Sequence, residues 1–305
     1  MSNDFSLLER ARRVIAKHNQ LTMARPTEDH LHNPCQGHFH PPLHIQRYEF
    51  IRTVLSRQCP PVRSVADLGS GHGSFICHLK KLPFLKTIIT VDQDSSSVEQ
   101  TCRTSQPQCH ERLFGRPGCE LTIFNFCGNV LQLDHRLANV DAFTCIELIE
   151  HLTLDQLKQF ERIVFGHYGP ALVLITTPNA EFNVIFDSRL LHANAVRHSD
   201  HQFEWTRSQF HDWCASIAQQ HGYRFDIAGV GLPSAASTDV GFATQIVEFH
   251  RINETNAGGG RGRRRRAAEE TNVDQTAFQL IAQHLYEHKK SDNCKLNEID
   301  WNLFE

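Results

Sequence analysis

Glu147, Glu150 and His151 stand at i, i+3 and i+4 inside an otherwise apolar stretch, CIELIEHL (145–152), at the end of a segment that reads as a buried strand. On a helical turn the three would share one face. Two carboxylates side by side repel one another, so burying them calls for a cation. Oxygen donors with one imidazole suit a divalent ion such as Mg2+ or Mn2+ better than a structural zinc. Three ligands leave positions open for a further side chain and a substrate. The missing ligand is expected from the polar and aromatic segment RHSDHQFEWTRSQF (197–210), where His201 is the candidate and His198 the alternative.

Such a cluster needs a scaffold. Short apolar runs at 64–69, 86–92, 119–128, 140–147 and 170–178 alternate with helix-like stretches at 74–81, 95–104 and 154–165. After a helical pattern over 206–221, runs at 223–231 and 241–251 follow each other with no helix between, as antiparallel partners would. These patterns predict an α/β fold: a Rossmann-like, seven-stranded, mostly parallel sheet with helices on both faces and a terminal antiparallel hairpin. Ligands of such sheets sit at the strand C-terminal ends. A further helical pattern, 45–55, precedes the first strand.

The segment VADLGSGHGSF (65–75) runs from the first strand into a helix. Gly69, Gly71 and Gly73 permit a tight turn and a close backbone approach to a ligand. Their spacing departs from the dinucleotide pattern GxGxxG, because the third glycine comes one residue early. Asp67, at the strand end, suits a cationic amino group, and Asp92, closing the second strand, suits two ribose hydroxyls. A ligand carrying an ammonium, a ribose and a base fits this loop better than a dinucleotide.

The 305 residues, 40% of them hydrophobic, suffice for one large domain with tails or for two small ones. A net charge of −3 implies no general affinity for nucleic acid, although a local basic groove or a metal would recruit phosphate. The ten cysteines form no CxxC pair and Met1–Gln20 has no apolar core, so reduced thiols and a cytoplasmic or nuclear setting are expected. No apolar run approaches the roughly 18 residues that span a bilayer. Residues 1–40 read as a charged helix (1–20) and an irregular arm, whose Cys35, His38 and His40 make an incomplete zinc pattern. The domain proper covers 41–252. The Gly/Arg-rich stretch 253–272, with Arg261 and Arg263–Arg266, reads as a solvated linker, with contact to RNA or a nuclear address as the alternatives. Residues 273–305 read as a helical tail, with a helix over Ala277–Lys289.

The glycine loop, Asp67, Asp92 and the closing hairpin resemble those of the class I S-adenosylmethionine-dependent methyltransferases over about residues 45–252. That resemblance implies that Gly128 and Asn129, after the third strand, face the adenine. A narrower likeness follows from ExxEH (147–151), DHQFEWTR (200–207), TTPNAEFN (176–183) and FHPPLHIQRYEF (39–50). Together these resemble the Hen1 family of small-RNA 3′-terminal 2′-O-methyltransferases, and the short chain is expected to be of its animal or bacterial type. The resemblance implies a metal held by Glu147, Glu150, His151 and His201. It also implies methyl transfer from S-adenosylmethionine to the 2′-hydroxyl of the last nucleotide of a small single-stranded RNA, of piRNA or siRNA type. An Argonaute/PIWI-type protein is the expected presenter of that RNA. Either His151 or His201 would accept the proton, but not while serving as an inner ligand in the same step. Arg47, Thr177, Asn179 and Arg207 are candidate contacts for the terminal phosphate and sugar, with salt bridges as the competing role of the two arginines. Two other functions compete: a metal-independent methyltransferase acting on another substrate, and a non-catalytic RNA-binding scaffold.

Overall fold

A computed structural model of the chain describes residues 39–116, 118–186, 198–232, 240–252 and 276–287. The expected N-terminal helix, Cys35 and His38, the arginine-rich linker and the chain beyond 287 lie outside the described residues.

Helix α1 (Leu43–Ser56) leads into β1 (Ser64–Leu68), and the glycine loop then opens the short α2 (Ile76–Leu79). There follow β2 (Thr87–Asp92), α3 (Ser95–Ser105), α4 (Cys109–Phe114), β3 (Leu121–Cys127), β4 (Ala142–Ile146), α5 (Leu154–Glu161) and β5 (Leu172–Pro178). The chain then forms α6 (Asn183–Phe186), α7 (Arg207–His221), β6 (Tyr223–Val230), β7 (Thr244–Arg251) and β8 (Gln279–Tyr286). Local chemistry sets several boundaries. Asp94 caps α3 by accepting from Ser97 N at 2.8 Å, and Thr153 and Thr206 open α5 and α7 in reciprocal capping boxes with Gln156 and Gln209. Gly222, left-handed, ends α7. The helix expected over 154–165 is α-helical only to Glu161, and a π-helical segment, Arg162–Tyr168, completes it.

The strands form one sheet in the order β6-β7-β5-β4-β1-β2-β3-β8. Strands β3, β2, β1, β4 and β5 are parallel, β7 is antiparallel to β5, and β6 is antiparallel to β7. The parallel strands are buried on both faces, which is why they read as continuous apolar runs. One core packs Ala66, Leu68, Phe143, Phe160, Phe210 and Phe249, and the other packs Ile51, Leu55, Val65, Ile76, Leu79 and Ile88. Among the described residues no helix is long and apolar enough to cross a membrane.

Within the expected helix Ala277–Lys289, the described residues Gln279–Tyr286 form a strand instead. β8 pairs antiparallel with β3, from Leu121 opposite Tyr286 to Cys127 opposite Gln279, and makes the sheet eight-stranded. The sheet therefore extends past the boundary at 252. Tertiary anchors override the helical pattern. Phe278 and Tyr286 are 3% and 2% exposed, the Tyr286 hydroxyl donates to Ser105 O at 2.5 Å, and Phe278 N donates to Asp134 Oδ2 at 2.9 Å.

Gly128 belongs to this docking. A Cβ there would lie 2.3 Å from the Phe278 ring. Gly128→Ala is expected to destabilise the domain by about 1–3 kcal/mol through overpacking. A thermal melt checks it, and an unchanged midpoint would mean that Phe278 does not pack there.

Candidate functional site

All the parallel strands end on one edge, and the residues singled out above gather along it. At the end of β1, Asp67 is 2% exposed and accepts from Thr144 Oγ1 at 2.7 Å. Burial raises its carboxyl to about 7, against the opposing Thr144 bond, and Asp92 adds to the rise. Gly69, Gly71 and Gly73 all take positive φ, and a Cβ at Gly73 would meet Thr101 at 2.9 Å. Around Gly71 a Cβ would meet nothing within 4 Å, so space is open above the loop. Asp92 braces the loop: Gly71 N donates to its Oδ2 at 2.8 Å and Asp94 N to its Oδ1 at 2.9 Å. A carboxylate still has acceptor capacity beyond these two bonds. Asn129 turns its Oδ1 to Leu131 N at 2.9 Å, bracing the turn after β3.

Beyond β4 the chain does not continue as the expected helical face. Glu147 takes a left-handed φ of 51°, and Ile149–His151 form a single 3-10 turn. Glu150 and His151 therefore face His201, while Glu147 diverges. Ligand atoms of Glu150, His151 and His201 lie within 4.8 Å of one another. The two imidazole rings meet edge to face at 4.9 Å. Glu147 pairs with Arg47 at 3.1 Å and accepts from Thr176 Oγ1 at 2.8 Å. Arg47, 100 residues upstream in sequence, also donates to Thr244 Oγ1 at 3.1 Å.

The donor set fits a divalent cation. Glu150 is 0% exposed; its Oε2 accepts from Thr177 Oγ1 at 3.1 Å, and its Oε1 has no hydrogen-bond partner among the described residues. Burial, and then the charge of Glu147, push its carboxyl well above the ordinary carboxylate range. A buried acceptor left without a donor is costly, and a cation would satisfy it. His201 commits Nδ1 to Glu204 Oε1 at 2.7 Å, and His151 holds Nδ1 3.3 Å from the Asp200 carbonyl. A neutral imidazole so engaged has Nε2 left for a metal.

Of the two histidines, His201 joins Glu150 and His151 in the cluster, and the His198 ring lies 5.0 Å from that of His201. The remaining candidates hold the scaffold. Thr177 supports Glu150. Asn179, 1% exposed, donates to the carbonyls of Val240 and Phe242, each at 2.8 Å. Arg207 clasps Glu181 at 2.6 Å. Sequence reasoning did not single out Glu204 or Asp200, the carboxylates behind the two histidines; both lie in the segment 197–210, where it named His198, His201 and Arg207.

An open, mostly parallel sheet of this order, with a bracing acid on its glycine loop and a closing antiparallel pair, is a class I methyltransferase fold. No family profile matches the chain. The small RNA 2′-O-methyltransferase of Mus musculus is 41% identical over 212 residues, 69% of this chain and 51% of that protein. Over these stretches the chain is similar to the small-RNA 2′-O-methyltransferases. The Arabidopsis thaliana relative is 32% identical over 227 residues, 70% of this chain and 23% of that protein. The crystal structure of the small RNA methyltransferase HEN1 superposes with a TM-score of 0.66 at 28% identity, covering 87% of this chain and 29% of that one. The methyltransferase domain of bacterial CtHen1 gives a TM-score of 0.54 at 29% identity, covering 69% of this chain and 99% of that one. The chain spans about half the length of the vertebrate relatives it matches.

Proposed function

We propose that the chain transfers a methyl group from S-adenosylmethionine to the 2′-hydroxyl of the 3′-terminal nucleotide of a small single-stranded RNA, with a divalent cation, Mg2+ or Mn2+, as cofactor. One observation carries this reading: the cluster of Glu150, His151 and His201 stands directly beyond β4, on the strand edge that bears the glycine loop, with a buried Glu150 oxygen unpaired among the described residues. The names of the relatives give the substrate class.

Asp67 and Asp92, with Gly69, Gly71, Gly73, Gly128 and Asn129, form the cofactor end of the site in this reading. Asp67 would take the ammonium once ionised, and Asp92 the ribose hydroxyls. Holding cofactor and nucleotide together supplies much of the rate through orientation alone. A divalent ion at the cluster would lower the cost of alkoxide character on a ribose hydroxyl. Glu150, His151 and His201 would hold it, and Glu147 would join as a fourth ligand by exchanging Arg47 for the ion. Arg47 would then be released toward a terminal phosphate. Presentation of the RNA by an Argonaute/PIWI-type protein in the cytoplasm belongs to the same proposal.

The test is methylation of a synthetic short RNA with EDTA, with Mg2+ or Mn2+ restored, and with 2′-deoxy or 3′-deoxy ends. Activity is expected to vanish with EDTA, to return with metal, and to be absent on the 2′-deoxy end. Undiminished activity in EDTA would favour metal-independent transfer to another substrate.

A further inference from the structure

We propose that Glu204 is a positioning residue for His201 and that Asn183 holds Glu204 in place, so that the chain Asn183–Glu204–His201 sets the aim and donor strength of one metal ligand. The inference rests on the metal-dependent reading above.

Three observations support it. First, the His201 and Glu204 side chains are 7% and 2% exposed, and their 2.7 Å contact is in the range of a charge-assisted hydrogen bond. A carboxylate buried to that degree is expensive unless its oxygens are engaged. Second, both oxygens are engaged, and from different elements. Oε1 meets Nδ1 of His201, and Oε2 accepts from Asn183 Nδ2 at the start of α6. Held from two sides, the carboxylate cannot swing away from the imidazole. Third, the segment bearing Glu204 is pinned to the strand ends. Gln202 N donates to Glu150 O at 2.7 Å, Ala180 N to Trp205 O at 3.0 Å, and Gln245 Nε2 to Trp205 O at 3.0 Å.

The two histidines are therefore supported unequally. His151 faces Asp200, whose side chain is 67% exposed and whose carboxylate lies 3.4 Å from Nδ1. His201 has a buried anion behind it. A carboxylate accepting the Nδ1 proton fixes the tautomer, fixes the ring plane and makes Nε2 a stronger donor. A backbone or solvent partner would do less on the third count.

The experiment is Mn2+ binding to the full chain, read by electron paramagnetic resonance, for wild type, Glu204→Ala, Glu204→Gln, Asn183→Ala and His201→Ala. Glu204→Ala is expected to weaken Mn2+ binding about 10–100-fold, the range for lost partners of metal-ligating histidines. Glu204→Gln is expected to fall between, since an amide oxygen still accepts from Nδ1 but carries no charge. Asn183→Ala is expected to weaken binding by less than Glu204→Ala. S-adenosylmethionine affinity should stay unchanged in all, which a general structural defect would not allow. Should the alanine variant fail to fold, the glutamine variant decides the matter. A folded Glu204→Gln or Glu204→Ala protein that binds Mn2+ as tightly as wild type, while His201→Ala binds poorly, overturns the assignment of Glu204 alone. Wild-type Mn2+ affinity in His201→Ala overturns the metal site itself and this inference with it.

Discussion

Glu150→Gln is expected to lower methyl transfer by about 10²–10⁴-fold, the equivalent of several kcal/mol of lost transition-state stabilisation, and to raise the thermal midpoint of the metal-free protein. Both effects come from the same oxygen. Glu150 is fully buried, its Oε1 has no partner among the described residues, and Glu147 stands close enough to add charge repulsion to the desolvation. In the absence of metal the native state thus carries a carboxylate that burial opposes. Its folded-state affinity for a proton is raised, so the wild-type protein loses stability as pH rises above the ordinary glutamate range. The amide variant keeps the shape and the Thr177 hydrogen bond but cannot ionise, so its advantage should widen with pH. Each kcal/mol relieved corresponds to roughly 2–4 °C in a domain of this size. With Mn2+ present the ordering should invert, because an ion that binds only the native state stabilises wild type and passes the variant by. Melts of both proteins with and without Mn2+, beside a methylation assay, read all of this. A variant that keeps its activity, or whose midpoint still rises with Mn2+, would show that Glu150 holds no metal.

The second expectation concerns pH and cofactor. Burial and then Asp92 raise Asp67 to about 7 from its ordinary 3.8. Its native form therefore keeps a proton that the unfolded chain gives up. The sign follows: the associated stability is intact below about pH 4 and is lost as pH rises toward 7, at up to about 1.4 kcal/mol per pH unit. Asp67→Asn should flatten that slope. Binding of a cationic amino group requires the ionised carboxylate, so S-adenosylmethionine affinity should fall about tenfold for each pH unit below 7. Calorimetry in two buffers of different ionisation enthalpy would register the proton released on binding. An affinity that stays level between pH 5.5 and 8, or that survives Asp67→Asn, contradicts the assignment.

How much of this was legible beforehand depended on the range over which each feature is determined. The glycine loop is a local matter of backbone conformation, and Gly69, Gly71 and Gly73 take the positive φ that their spacing suggested. The five parallel strands follow from continuous apolar runs that only a twice-covered sheet can bury. The helical face proposed for Glu147, Glu150 and His151 did not form, because spacing alone cannot show that Glu147 enters the left-handed region and turns toward Arg47. His201 was preferred and His198 kept as the alternative, with nothing in their spacing to place either against Glu150. The pinning of 202–205 to Glu150 and to the strand ends brings His201 into the cluster.

The sequence by itself determined the sheet's parallel core, the acidic strand ends and the glutamate–histidine pair beyond β4, since each is written in residues close together along the chain. Tertiary structure decided what pairs with them. It placed Arg47 on Glu147, Glu204 behind His201, and Phe278 over Gly128, contacts whose partners lie 3 to 150 residues apart. It also made Gln279–Tyr286 a strand, because a short apolar run has no fixed secondary structure until an unpaired sheet edge and two aromatic pockets are there to receive it.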